Sequence, residues 1–227
     1  MTDAYDRNQD RERLLAAVLN HVAFDGWSEA ALQAAGNDTG LAADRVLNAF
    51  PGGARDALIF WHEVADQRMV AAMAAPEIAS LRIRDRVAAA IRIRLEGCQP
   101  HREAVRAGCT LLMMPQNAAL ATKLLYGTVN AIWYAVGDQS TDHNFYTKRA
   151  LLAAVYSATV LYWLNDKSDG SAATWAFLDR RIGDVMRIPQ ALGQTMGKLR
   201  DISDRLPHPL RLLKRGRRPG FRRRAAR

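Results

Sequence analysis

Apolar positions along this chain recur every three or four residues, and alternation at a period of two never lasts long enough to build a strand. The pattern predicts helix throughout. Leu14, Leu15, Val18, Leu19 and Val22 share one face of a first helix over Arg7–Phe24, which Gly26 ends. Ser28 stands where it can cap a short helix, Glu29–Ala35, closed by Gly36. Thr39 is placed to cap Leu41–Phe50, which stops at Pro51–Gly52–Gly53. A longer helix, Ala54–Met73, ends before Pro76. Leu81–Glu96, His101–Met113, Gln116–Val136, Asn144–Asn165 and Ala172–Met186 follow.

Beyond Pro189, the residues Leu192, Met196, Leu199, Ile202 and Leu206 are three or four apart and form a narrow amphipathic stripe. Pro207 and Pro209 end it. From Gly216 the chain is Arg/Gly/Pro-rich and is expected to be disordered. These breaks divide the chain into a three-helix unit (1–53), a helical bundle (54–188), an amphipathic helix (189–206) and a basic tail (207–227). The longest uncharged apolar run, Ala150–Leu164, rises about 22 Å as a helix, short of a hydrocarbon core of about 30 Å. It predicts a buried helix, not a span.

Composition supports the helical reading: 49% of the 227 residues are hydrophobic, with many Ala and Leu. The net charge of +9 changes the picture only once it is located. Ten of the 32 bases and none of the 23 acids lie after Asp204, so residues 1–204 carry 22 bases against 23 acids. The body is near neutral and the tail, Arg205 to Arg227, holds the basicity. That pattern points to a terminal anchor on an anionic surface and away from a basic globular face. Cys98 and Cys109 have no CxxC or Cys–His spacing and read as reduced thiols of a cytosolic protein. The N-terminal MTDAYDRNQDRER is charged, and no secretory signal is expected.

Candidate chemistry is sparse. His62–Glu63 opens like HExxH, but Asp66 stands at the fifth position and the two-histidine geometry is lost. There is no ExxH pair for a di-iron bundle, no GxSxG, no phosphate-binding loop and no GxGxxG. The chain is read as non-enzymatic, without metal or cofactor. Arg82, Arg84, Arg86, Arg92 and Arg94 share one helix with Asp85 and Glu96, and read as a solvated face. Gly193 and Gly197 form GxxxG in a segment too short and polar to span.

The first three helices and Phe50–Pro51–Gly52–Gly53 have the layout of a helix-turn-helix with Leu41–Phe50 in the recognition position. Duplex binding needs Lys and Arg for phosphates and polar side chains for base edges. Between Ser28 and Asp56 the acids Glu29, Asp38, Asp44 and Asp56 outnumber the bases Arg45 and Arg55. The unit is therefore read as a packing element without specific DNA binding. Leu111–Leu112–Met113–Met114–Pro115 is Met-rich and by pattern alone reads as core.

The most specific stretch is Trp133–Arg149, WYAVGDQSTDHNFYTKR. A connection between helices needs a Gly, a cap and some polar residues; it does not need Trp133, Tyr134, Phe145 and Tyr146. Such aromatics beside a turn are core plugs or a contact surface. From Trp133 to Ala154 this run resembles the TetR-like lipid-binding accessory proteins of ubiquinone (coenzyme Q) biosynthesis. The element Thr174–Trp175–Ala176–Phe177–Leu178 with Arg181, Asp184 and Met186 is similar too, and the likeness covers roughly Arg13–Arg187.

The resemblance implies an all-α, TetR-like fold with a helix-turn-helix-type unit on a larger ligand-binding bundle, and a homodimer. It implies a protein that presents an isoprenoid quinone or phospholipid to the di-iron demethoxyubiquinone hydroxylase. The family has an M-L-P-x-N element like the one at Met113–Asn117, which implies a lipid pocket walled by Leu111, Leu112, Met113, Met114, Leu124, Leu125, Tyr156 and Leu161. The family's hydroxylase-contacting patch corresponds to Ile132, Trp133, Tyr134, Gly137, Asp138, Asp142, Phe145, Tyr146 and Arg149. Ile132 stands where the family has Met, and Phe145 where it has Trp. The family's membrane-binding last helix corresponds to Leu192, Met196, Leu199, Ile202 and Leu206. With the basic tail, this implies a cytoplasmic protein held peripherally on the anionic face of the inner membrane. The alternative that the same fold leaves open is a TetR-type transcriptional regulator with an apolar effector.

Overall fold

The computed structural model describes residues 2–137 and 144–185. Residues 1–182 form one compact unit and residues 183–227 a second, of which only the first three lie among those described. Every regular element among the described residues is helical.

Three helices open the chain: α1 (Thr2–Asp25), α2 (Glu29–Thr39) and α3 (Ala43–Ala49). The stripe read from the sequence is their common core, with Leu14 and Val18 fully buried and Val22 nearly so, against Ala31 and Ala35 of α2. Ser28 caps α2 as expected, its Oγ accepting from the Ala31 N–H at 3.2 Å.

Two local expectations fail. Gly36 does not end α2; it lies inside it, and a Cβ there would come within 2.9 Å of Val46 Cγ2. The glycine serves close approach of α3, and the helix ends at Gly40 with φ +65. Thr39 does not cap the next helix either. Its hydroxyl bonds back to the Ala35 carbonyl at 2.8 Å, and α3 starts behind Ala42 with no side-chain cap.

The bundle is made of α4 (Ala54–Ala72), a one-turn α5 (Pro76–Ala79), α6 (Ile83–Glu96), α7 (Arg102–Leu112), α8 (Ala118–Ala135), α9 (Asn144–Asn165) and α10 (172–185). The α5 turn was not anticipated. A proline at its first position tolerates the start of a helix, since that N–H has no intrahelical partner anyway. α4 packs on α6 and α8, α8 packs on α9, and α7 bridges to α1. Ile91, Leu95, Ile132, Trp163 and Leu178 are almost completely buried between these helices. Each such aliphatic side chain contributes about 1.5–3 kcal/mol. Trp163 also keeps its indole satisfied, donating to Gln99 Oε1 at 3.1 Å, with the Arg102 guanidinium over its ring.

The two parts are tied together by polar contacts. The α4 N-terminus, which has no cap of its own, is capped from α2: Glu29 Oε1 accepts from the Ala54 N–H at 3.0 Å. Trp27, after α1, donates to the Ala104 carbonyl in α7 at 3.0 Å and lies against Trp61 of α4. At the far end, Asp166 starts α10. Its carboxylate accepts from the backbone N–H and hydroxyl of both Ser168 and Thr174, at 2.5–2.8 Å. Hydrogen bonds from Thr174 and then Ser168 hold this carboxyl well below the usual carboxylate range. Among the described residues, no helix is long and apolar enough to cross a membrane.

Candidate functional site: an apolar cavity with a polar end

Helices α4, α6, α7, α8 and α9 enclose a cavity of about 250 Å³. Leu112 and Met113 come from the end of α7, Leu124 and Leu125 from α8, and Tyr156 and Leu161 from α9. The structure thus brings together six of the eight proposed lipid-contacting residues. Leu111 and Met114 are not on the wall. α7 stops at Leu112, and Met114 has an extended backbone that carries it away, exposed and bonded to Gln116. Met113 and Leu161 are wall residues that are also exposed, by 73% and 53%, and so mark the mouth. Cys98 and Cys109 are unpaired thiols on the wall, each with its pKa raised by burial.

The opposite end is polar, and sequence reading missed it. Arg94 is buried to 5% exposure and donates from Nε to Asp66 Oδ1 at 2.7 Å and from Nη1 to Cys98 Sγ at 2.9 Å. Thr128, buried, bonds the Asp66 carboxylate at 3.0 Å. Burial works against the Arg94 charge, but Tyr156, Cys98 and above all the bonded Asp66 carboxylate nearby leave its pKa raised, so it stays a cation. His62 is neutral: burial first, and then Arg94, push its pKa down to about 3. Its Nδ1 is buried without a hydrogen-bond partner. Burial pushes Tyr156 up to about 12.

Arg94 therefore corrects the reading of this helix as a solvated face. A signal was present. Val87, Ala90, Ile91, Arg94, Leu95 and Cys98 follow the i, i+3, i+4 rhythm of a core face, and Arg94 lies in that stripe, while Arg92 points outward to Glu96. His62 and Asp66, one turn apart on α4, are the residues of the broken HExxH pattern. They serve the arginine, and among the described residues no cluster is suited to a metal ion.

The residues of the proposed partner patch separate by depth. Tyr134 at the end of α8 and Tyr146 at the start of α9 are exposed by 76% and 75%. Trp133 is half-buried, with Lys148 near its ring and its indole N–H buried without a hydrogen-bond partner. Gly137 is exposed with φ +76. Ile132 is fully buried, and Arg149 is nearly so, donating to Asn130 Oδ1 at 3.1 Å. Ile132 is thus a core side chain and offers no contact area, so a surface contact here rests on the tyrosines. Asp138, Asp142 and the side chain of Phe145 lie outside the described residues, as do Leu192, Met196, Leu199, Ile202, Leu206 and the basic tail.

In the three-helix unit, a cleft of about 490 Å³ runs between α2 and α3. It is the furrow between two short helices, and Glu29 on its wall is already engaged with Ala54. Arg45, the one base of α3, is bound to Asp10 of α1 by two hydrogen bonds at 2.6 and 2.9 Å.

Residues 118–189, the part that holds α8, α9 and α10, match the family model described as COQ9. The match is to the COQ9 family. The chain is 30% identical over 196 residues to the rat protein named "Ubiquinone biosynthesis protein COQ9, mitochondrial", covering 82% of this chain and 62% of that one. It is 29% identical to the human COQ9 protein over 82% of this chain and 60% of that one. The chain thus spans about three-fifths of the length of the curated COQ9 relatives it matches. Among solved structures, it superposes on a TetR transcriptional regulator from Nitrosomonas europaea with a TM-score of 0.66 at 19% identity, covering 78% of this chain and 97% of that one. The fold is all-α and TetR-like, and the family resemblance read from Trp133–Ala154 is confirmed.

Proposed function

We propose that this protein is a non-enzymatic accessory protein of ubiquinone biosynthesis. It takes an isoprenoid quinone intermediate or a phospholipid into the bundle cavity and presents it to a demethoxyubiquinone hydroxylase. The observation that carries this reading is the apolar wall of Leu112, Leu124, Leu125 and Leu161 in the part of the chain that matches COQ9. Burial of a chain there contributes about 0.8 kcal/mol per CH₂. Tyr134 and Tyr146 are the exposed anchors for the hydroxylase. The stripe Leu192–Leu206 and the basic residues Arg211–Arg224 hold the protein on the anionic cytoplasmic face of the inner membrane, the helix weakly and the bases by about 1 kcal/mol each. The protein acts as a homodimer, which light scattering of the purified protein tests.

The fold alone also fits a regulator, but no observation favours that reading. The charge balance of α2–α4 opposes a polyanion, and Arg45 is already committed to Asp10. The decisive experiment delipidates the protein and offers it prenylated quinone and phospholipid vesicles. Uptake of either supports the proposal; refolded protein that takes up neither overturns it. A truncation after Leu206 that shifts a specific duplex at physiological salt would replace it by the regulator.

A further inference from the structure

The cavity is closed by groups that a purely hydrocarbon ligand cannot satisfy, and they define what lies deepest in it. Four facts combine. The His62 ring is neutral and its Nδ1 is buried without a partner. Arg94 uses Nε and Nη1 of its five N–H donors on Asp66 and Cys98. Asp66 already matches the arginine charge. The apolar wall and the exposed Met113 and Leu161 lie toward the mouth. We propose that an amphipathic ligand enters head first, with an uncharged hydroxyl-bearing head hydrogen-bonded to His62 Nδ1 beside Arg94 and its apolar tail leaving past Met113 and Leu161. This rests on the lipid-binding reading given above and adds the orientation and the chemical class of the head.

Charge complementarity decides the class. An anionic head would face a guanidinium whose charge Asp66 already balances, leaving one buried negative charge in excess. A cationic head would meet Arg94 itself. A hydrocarbon end would leave Nδ1 unmet in an apolar space. A hydroxyl fits whichever tautomer the ring adopts, because it accepts from Nδ1–H or donates to the Nδ1 lone pair. Size agrees with partial enclosure. A volume of about 250 Å³ holds roughly eight water-sized groups, enough for a ring and the beginning of a chain but not for a long tail.

The test uses the full-length, delipidated protein and two probes that differ by one oxygen: 2-geranylphenol and geranylbenzene. Their affinities are measured by calorimetry at pH 7. The phenol should bind about tenfold more tightly, equivalent to about 1.4 kcal/mol. In the unsubstituted protein, the nitrogen resonances of His62 should move with the phenol and stay unchanged with the hydrocarbon. His62→Phe should bring the two affinities within about twofold while geranylbenzene binding persists. Equal affinities in the unsubstituted protein would overturn the head-first orientation and leave the lipid reading standing. A preference that survives in His62→Phe, or a His62 resonance that ignores the phenol, would remove His62 from head recognition. Binding of neither probe would overturn this inference and, with no uptake of quinone or phospholipid, the lipid reading as well.

Discussion

Two aspartate–arginine pairs divide this molecule by purpose. In the three-helix unit, Asp10 is buried and its partner Arg45 is half exposed, with side-chain exposures of 8% and 48%. At the cavity the depths are reversed: Arg94 is at 5% and Asp66 at 16%. The first pair spends a surface cation on holding α1 to α3. In a helix-turn-helix layout, that is the cation a phosphate would need. The second pair puts a cation inside, next to a neutral histidine with an unmet nitrogen, and leaves donors facing an apolar space. The N-terminal unit has its polar groups used up internally, through Asp10–Arg45, Glu29–Ala54 and His21–Asp38. The bundle retains unmet valence in its interior and bare tyrosines on its surface. An ancestral layout for touching DNA is thus spent on packing, and chemistry open to ligands and partners is concentrated in the bundle.

The sharpest way to break that contrast is to remove each carboxylate in turn. Asp66→Ala strands a buried guanidinium and should cost about 3–5 kcal/mol in urea unfolding. A loss below about 1 kcal/mol would show that Arg94 reaches water, and the interior cation would no longer distinguish the bundle. Asp10→Ala frees an arginine that water already reaches, so the cost should be about 1 kcal/mol. If the two substitutions cost the same, the pairs are equivalent and the comparison fails.

Protonation sharpens it further. The folded His62 ring has a pKa of about 3, against an ordinary value of 6.5. Between these values the unfolded chain holds a proton that the folded chain refuses, so stability falls as pH falls from about 6.5 towards 3. His62→Phe should flatten the stability curve across that window. An unchanged slope would mean the ring is solvated and the polar end of the cavity is not closed. Asp166 works in the opposite sense but lies outside both pairs. Its carboxyl is depressed by Thr174 and Ser168, so its contribution is full above the ordinary value of 3.8 and is lost as pH falls below it. Asp166→Asn should remove that acid dependence from a helicity signal of α10, and persistence of it would refute the capping role.

The smallest expected stability effect is at the surface. Tyr134→Ala and Tyr146→Ala should each change stability by no more than about 0.5 kcal/mol, because both rings stand in water. The same variants should weaken binding to the hydroxylase. A melting curve that drops as it would for a core aromatic, by about 3–5 kcal/mol, would make these rings structural and end the anchor claim.

Read alone, the sequence determined what local periodicity and composition can determine. α9 was legible to both its ends, Asn144 and Asn165, because an uninterrupted apolar run is bounded by polar residues. The absence of strand alternation set the all-helical class, and the aromatic-rich run from Trp133 pointed to the family. Tertiary structure decided the rest. Gly36 looked like a stop signal, and only the approach of Val46 shows why a glycine is needed inside a helix. Ile132 and Tyr134 are two residues apart in one motif, yet one is core and the other is surface, since two helical steps turn a side chain by about 200°. Arg94 read as one more arginine on a charged helix. What makes it an interior cation is that Asp66, Thr128 and Cys98 converge on it from α4, α8 and its own helix. Periodicity records which way a side chain faces along one helix; it does not record which groups the neighbouring helices bring to meet it, and the cavity's chemistry is made of those meetings.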